Sequence, residues 1–140
     1  MDASGRQPWL RTVILIGAVY LIVGVASAAP ANSASSNQVR TVWRLAAWVI
    51  SAVAFAAHVG YEHFRLRNSA LTTALHTSMA VAVGAFALAV SANVHGWWVG
   101  SSHQRLLAFA LVAWPALTAI PAFLVALVAA AVLGLRRRST

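Results

Sequence analysis

Residues 106–138 read LLAFALVAWPALTAIPAFLVALVAAAVLGLRRR, a run of thirty uncharged residues closed by Arg136, Arg137 and Arg138. At 1.5 Å per residue a helix of that length reaches about 45 Å. The hydrocarbon core of a bilayer is about 30 Å thick and needs about 20 apolar residues. The run therefore crosses a membrane with length to spare, which tilt can absorb. Pro115 and Pro121 lie inside it, and each removes a backbone donor and crowds the preceding turn. One reading breaks the run at Pro115, with Leu106–Trp114 at the interface and 116–135 spanning. The favoured reading is one tilted helix over 106–135, kinked at its prolines. A strand is excluded because the run is far too long and does not alternate.

Three further apolar runs precede it, over 12–29, 42–61 and 70–94. The first is expected to end at Pro30, where ANSASSNQ (31–38) reads as a small polar loop. EHFRLRNS (62–69) reads as a charged turn, and HGWWVGSSHQR (95–105) as an aromatic, glycine-containing loop. The expected fold is an all-α four-helix membrane bundle, a single transmembrane domain over residues 1–140.

Composition agrees with this reading. Of 140 residues, 61% are hydrophobic and 9% charged, against about half and about a quarter in soluble domains. A soluble chain of this size cannot bury so much apolar surface in one core. The basic residues are all Arg, opposed only by Asp2 and Glu62, for a formal charge of +8. They flank the apolar runs rather than forming one basic face, so they are read as topology signals and nucleic acid is excluded as a partner. With no Cys there is no disulfide framework and no thiolate site. Heavy use of Ala and Arg without Lys suggests a GC-rich bacterial genome, hence a bacterial inner (cytoplasmic) membrane.

Four spans place Arg6, Arg11, Arg65, Arg67, Arg136, Arg137 and Arg138 on one side and Arg40, Arg44 and Arg105 on the other. The positive-inside rule then puts both termini in the cytoplasm. Trp43, Trp97 and Trp98 fall at the outer interface and Trp9 at the inner one, as aromatic belts do. Arg6 and Arg11, the first apolar run and Ala26-Ser27-Ala28 also resemble a secretory signal peptide. The run exceeds a usual signal core, so retention as a span is expected.

Helices in lipid associate through close approach at small residues. Every run carries such a row: Gly17, Gly24 and Ala28; Ala52, Ala56 and Gly60; Ala80 and Gly84; Ala122, Ala126, Ala130 and Gly134.

Ionisable groups in spans are costly and mark candidate functional sites. Ser51, His58 and Glu62 fall within about 40° of one another on a helical projection, nearly opposite the Ala52–Ala56–Gly60 row. Arg65 continues the stripe if the helix persists. His76 follows Thr72 by one turn on the next run, and the short turn sets it at the depth of His58. The candidate cluster is thus His58, Glu62, Arg65 and His76. It can lock the hairpin, and that is the favoured reading. It can also supply His58 and His76 as axial ligands of a b-type haem or as partners of a quinone, or carry protons in a small transporter or channel. His95 and His103 lie near Trp97 and Trp98, but an eight-residue gap without a carboxylate makes a poor metal site, so no metal is expected. Asn93, Ser91, Tyr20 and Thr118 are expected to make interhelical hydrogen bonds. No phosphate loop, nucleophile motif, zinc-protease motif or dinucleotide fingerprint appears. The reading is a non-enzymatic structural or accessory subunit. Its expected partners are lipid and either copies of itself or other membrane subunits.

Overall fold

The computed structural model describes residues 8–100 and 102–136, without the side chains of Pro8 and Arg136. The readings made on Asp2, Arg6, Arg137, Arg138 and the Arg136 side chain lie outside the described residues. Four helices follow one another: α1 (Pro8–Ser33), α2 (Asn37–Gly60), α3 (Ala70–Trp98) and α4 (Gln104–Arg136), with a π-helical turn, Tyr61–Arg65, extending α2. All four are long and apolar enough to span a bilayer. Among the described residues there is no strand. The expected all-helical architecture of four helices is what the described residues form.

The helices are longer than the apolar runs, because polar residues close their ends. α1 continues through Pro30 to Ser33, correcting the expected stop. One missing N–H does not end a helix whose following residues still bond backwards, and the Ser33 hydroxyl donates to the Ala29 carbonyl at 3.0 Å. The loop expected over 31–38 shrinks to residues 34–36, and Ser36 caps α2 by accepting the Val39 N–H. Ser69 caps α3 by accepting the Thr72 N–H at 3.2 Å. α3 also outruns its expected end and takes in His95–Trp98, stopping where Gly100 adopts φ +63°. α4 is one helix that contains both prolines, as favoured over a break at Pro115. There the Thr118 hydroxyl donates to the Trp114 carbonyl at 2.9 Å, inside its own helix rather than across to another.

Packing runs in the order α2–α1–α3–α4, with α3 and α4 most extensively paired and α2 meeting α3 and α4 only slightly. α2 buries little besides His58 and Val59, at its last turn. There Val59 joins Ala74 of α3 and Ala126 of α4, wrapped by Phe55, Phe123, Leu127 and Leu133. The bundle thus has a hairpin end, where the 66–69 turn, the start of α1 and the end of α4 converge, and an opposite, distal end.

Small residues make the contacts. A Cβ on Gly84 lies 2.6 Å from Tyr20 Cβ and 3.1 Å from the Gly17 carbonyl oxygen, and one on Gly17 lies 2.8 Å from Val83 Cγ1. α1 and α3 therefore touch nearly backbone to backbone. Ala126 and Ala130 are buried in α4. The α2 row behaves differently: Ala52 and Ala56 are exposed, and nothing lies within 4 Å of a Cβ on Gly60. At the distal end the Asn93 amide donates to the Leu107 carbonyl of α4 at 2.7 Å, the interhelical bond expected of it. Ser91 is exposed, and among the described residues the Tyr20 hydroxyl has no partner.

Candidate functional site

The site is built where α2 stops being an α-helix. Over Tyr61–Arg65 the backbone widens to a π-helical turn, a feature often found at functional positions. The chain then turns through Arg67 at φ +53°, and the Asn68 N–H returns to the Glu62 carbonyl at 3.2 Å. Asn68 reaches back twice, since its side-chain amide also donates to Glu62 Oε2.

Glu62 is fully buried and His58, one turn earlier, is 1% exposed. His58 Nε2 lies 3.6 Å from Glu62 Oε1, an ion-pair distance rather than a hydrogen bond. His76 of α3 places Nδ1 3.0 Å from Glu62 Oε2, so one carboxyl group faces an imidazole on each side. Trp9 of α1 stacks on His76, with ring centroids 4.8 Å apart and planes at 10°. Three helices therefore meet at one carboxyl group.

The structure brings His58, Glu62 and His76 together and leaves Arg65 out, exposed to the surroundings. The correction has a simple cause. The projection continued α2 as an α-helix past Glu62, whereas the wider turn swings the next residues around the axis. His63, which the sequence puts in the charged turn 62–69, is buried at 7% exposure, edge-on to Phe64 and close to Gly134 of α4. Thr73 and Thr77, one turn apart on α3, are also buried. The sequence reading did not single out Asn68, Thr73 or Thr77, and it placed Trp9 only in the interface belt. An asparagine just past the turn, and two threonines flanking His76 by three residues and by one, were the available signals.

The arrangement does not fit a bis-imidazole haem. The imidazoles of His58 and His76 face the Glu62 carboxyl group, which fills the place an iron would need. The two grooves described lie elsewhere. One, of about 720 Å³, is lined by Leu21, Ile22 and Val25 of α1 with Phe86 and Val90 of α3. The other, of about 300 Å³, is lined by Gly24, Ala28 and Ala31 of α1 with Arg44 and Trp48 of α2. Among the described residues no three His, Asp or Glu side chains converge as metal ligands. His95 and His103 are exposed at the distal end, where His103 Nδ1 pairs with the Ser102 hydroxyl.

No family model, curated protein or solved structure matches this chain. What the site can do must be argued from its own atoms. A buried carboxyl group with two imidazoles and a carboxamide can tie helices together, and it can hold a proton.

Proposed function

We propose that this small multi-pass membrane protein is a non-enzymatic structural subunit that assembles with copies of itself or with other membrane subunits. The carrying observation is the α2 face. On α1, α3 and α4 the rows make contacts within the chain through Gly17 and Gly24, Ala80 and Gly84, and Ala126 and Ala130, whereas Ala52 and Ala56 are exposed and a Cβ on Gly60 meets nothing. Such rows let helix backbones approach closely in lipid, where packing drives association. The hairpin lock supports the reading, because Glu62 holds α2 in place by its last turn and leaves the outward row free. The connections also support it: residues 34–36, 66–69 and 99–103 are the only segments between the helices, too short to carry a catalytic domain. The reading also places both described ends of the chain, and with them the hairpin end of the bundle, on the cytoplasmic side of the cytoplasmic membrane, an orientation that the Arg distribution supports.

Native mass measurement and an absorption spectrum on protein extracted in mild detergent test this. The expected result is an oligomer or a defined hetero-complex without a Soret band, shifted toward monomer by Ala56→Leu. A monomer in both mild detergent and nanodiscs, indifferent to Ala56→Leu, overturns the proposal.

A further inference from the structure

Buried polar side-chain atoms without a protein partner are concentrated at one place. Among the described residues they are His58 Nδ1 and Nε2, Glu62 Oε1, both ring nitrogens of His63, the hydroxyls of Thr73 and Thr77, and the Tyr20 hydroxyl. All but Tyr20 lie between His58 and Thr77, on the two arms of the α2–α3 hairpin. Native interiors satisfy such atoms with protein groups or with ordered water that bridges about three of them.

Charge is the second constraint. A Glu62 carboxylate between two neutral imidazoles is a buried net negative charge, which is unfavourable at membrane depth. One added proton makes the trio neutral, as a carboxylic acid or as a carboxylate–imidazolium pair, and a second makes it positive. Among the described residues the surrounding elements supply no charge to replace that proton. Arg65 and Arg67 of the turn and Arg11 of α1 are exposed. α1 presents Trp9 to the trio, α4 has no titratable side chain from Leu106 to Leu135, and among the described residues His63 is the remaining titratable group beside it.

We propose that His58, Glu62 and His76 form a binding site for a single proton, linked through internal water to His63, Thr73 and Thr77, and that Trp9 governs its exchange with the hairpin-end surface. The carboxyl group is the bridge. His76 Nδ1 meets Oε2 at 3.0 Å, and His58 Nε2 faces Oε1 at 3.6 Å. Moving the proton from His76 to Glu62 breaks an N–H bond and forms an O–H bond, leaving a neutral ring and a neutral acid. A half-turn of the carboxyl group about its Cγ–Cδ bond then carries the O–H to the side of His58, and passing the proton to Nε2, directly or through water, breaks that O–H bond, restores the carboxylate and leaves an imidazolium. No other reactant is consumed. His76 is the entry, since its side chain is 16% exposed whereas those of the other two are fully buried, and the Trp9 ring lies against it.

The test is an NMR titration of protein ¹⁵N-labelled at histidine and threonine in lipid nanodiscs. The ring nitrogens of His58 and His76 are expected to respond in common steps, as strongly coupled sites do, and Thr73 and Thr77 to show exchange with water. Glu62→Gln is expected to abolish the shared steps, leaving two independent profiles, and Trp9→Ala to speed exchange of the His76 ring hydrogen. Independent profiles in the unaltered protein overturn the proposal, as does an unchanged pair of profiles in Glu62→Gln. Should Glu62→Gln fail to fold, His76→Gln asks the same question, with His58 expected to lose its second step. The oligomer measurement does not enter this outcome, so either proposal can fail alone.

Discussion

Removing the Glu62 carboxyl group leaves His58 Nε2, His76 Nδ1 and the Asn68 amide turned toward one another with no common partner. Breaking a buried charged cluster by deleting one member costs about 3–5 kcal/mol. Glu62→Ala is expected to lose that much in a detergent unfolding titration. Glu62→Gln keeps an acceptor oxygen, so it is expected to lose about 1–3 kcal/mol. Asn93→Ala removes an ordinary interhelical bond to Leu107, worth about 0.6 and at most about 1.7 kcal/mol in membrane proteins. The decisive reading is the order of the three losses. If Asn93→Ala matches Glu62→Ala, the cluster does not hold the hairpin. At this scale the sequence was informative about Glu62, His58 and His76, because charges in apolar runs are rare. It was silent on Asn68, whose reach depends on a left-handed residue that no propensity marks, and misleading on Arg65, where an α-helical period was continued through a π-helical turn.

Elements and their contacts carry the next distinction. The rows of small residues were visible in the sequence on all four helices, yet the sequence could not say which rows face one another, because a helical projection has no partner. The structure pairs Gly17 with the Ala80–Gly84 stretch and leaves Gly60 open. Gly84→Val drives a branched side chain into Tyr20 and the α1 backbone, so it is expected to cost about 1–3 kcal/mol or more by overpacking. Gly60→Ala meets nothing and gains helix propensity, up to about 1 kcal/mol. Thermal unfolding of the two variants in one detergent should move in opposite directions; no loss in Gly84→Val contradicts the α1–α3 contact, and a loss in Gly60→Ala contradicts the open α2 face. The α2–α3 turn gives a second contrast. Arg67 sits at φ +53°, which costs an L-residue about 1–2 kcal/mol. Arg67→Gly relieves that strain but frees the unfolded chain, worth about 0.5–1 kcal/mol, so a small net gain of up to about 1.5 kcal/mol is expected. Arg67→Val, branched at Cβ, is expected to destabilise, and equal behaviour of the two variants would show that the left-handed turn does not form.

On the scale of the whole molecule, the end that faces the cytoplasm is read from the Arg count, and individual contacts change the weight of that count. Arg40, assigned to the distal side, donates from Nε to the Ala31 carbonyl at 3.3 Å. It closes the end of α1, where a cation meets the unpaired carbonyls of a helix terminus. Arg44 lies beside a groove between α1 and α2. One of the three distal arginines is thus used within the fold, which leaves Arg44 and Arg105 exposed at the distal end against Arg11, Arg65 and Arg67 exposed at the hairpin end. Trp97 and Trp98, among the most exposed side chains, sit at the distal end, where aromatic rings anchor at headgroup level. The chain has no cysteine, so single substitutions report position without a background to remove. Arg65→Cys at the hairpin end and Ser36→Cys at the distal end are both at exposed positions. In intact cells a membrane-impermeant maleimide is expected to label Ser36→Cys and to reach Arg65→Cys only after permeabilisation. Arg65→Cys removes one positive charge from the inner side, so Phe64→Cys, also exposed, serves as its charge-neutral check. The reverse labelling pattern for Phe64→Cys and Ser36→Cys places the proton site against the outer face and inverts the assignment of both ends.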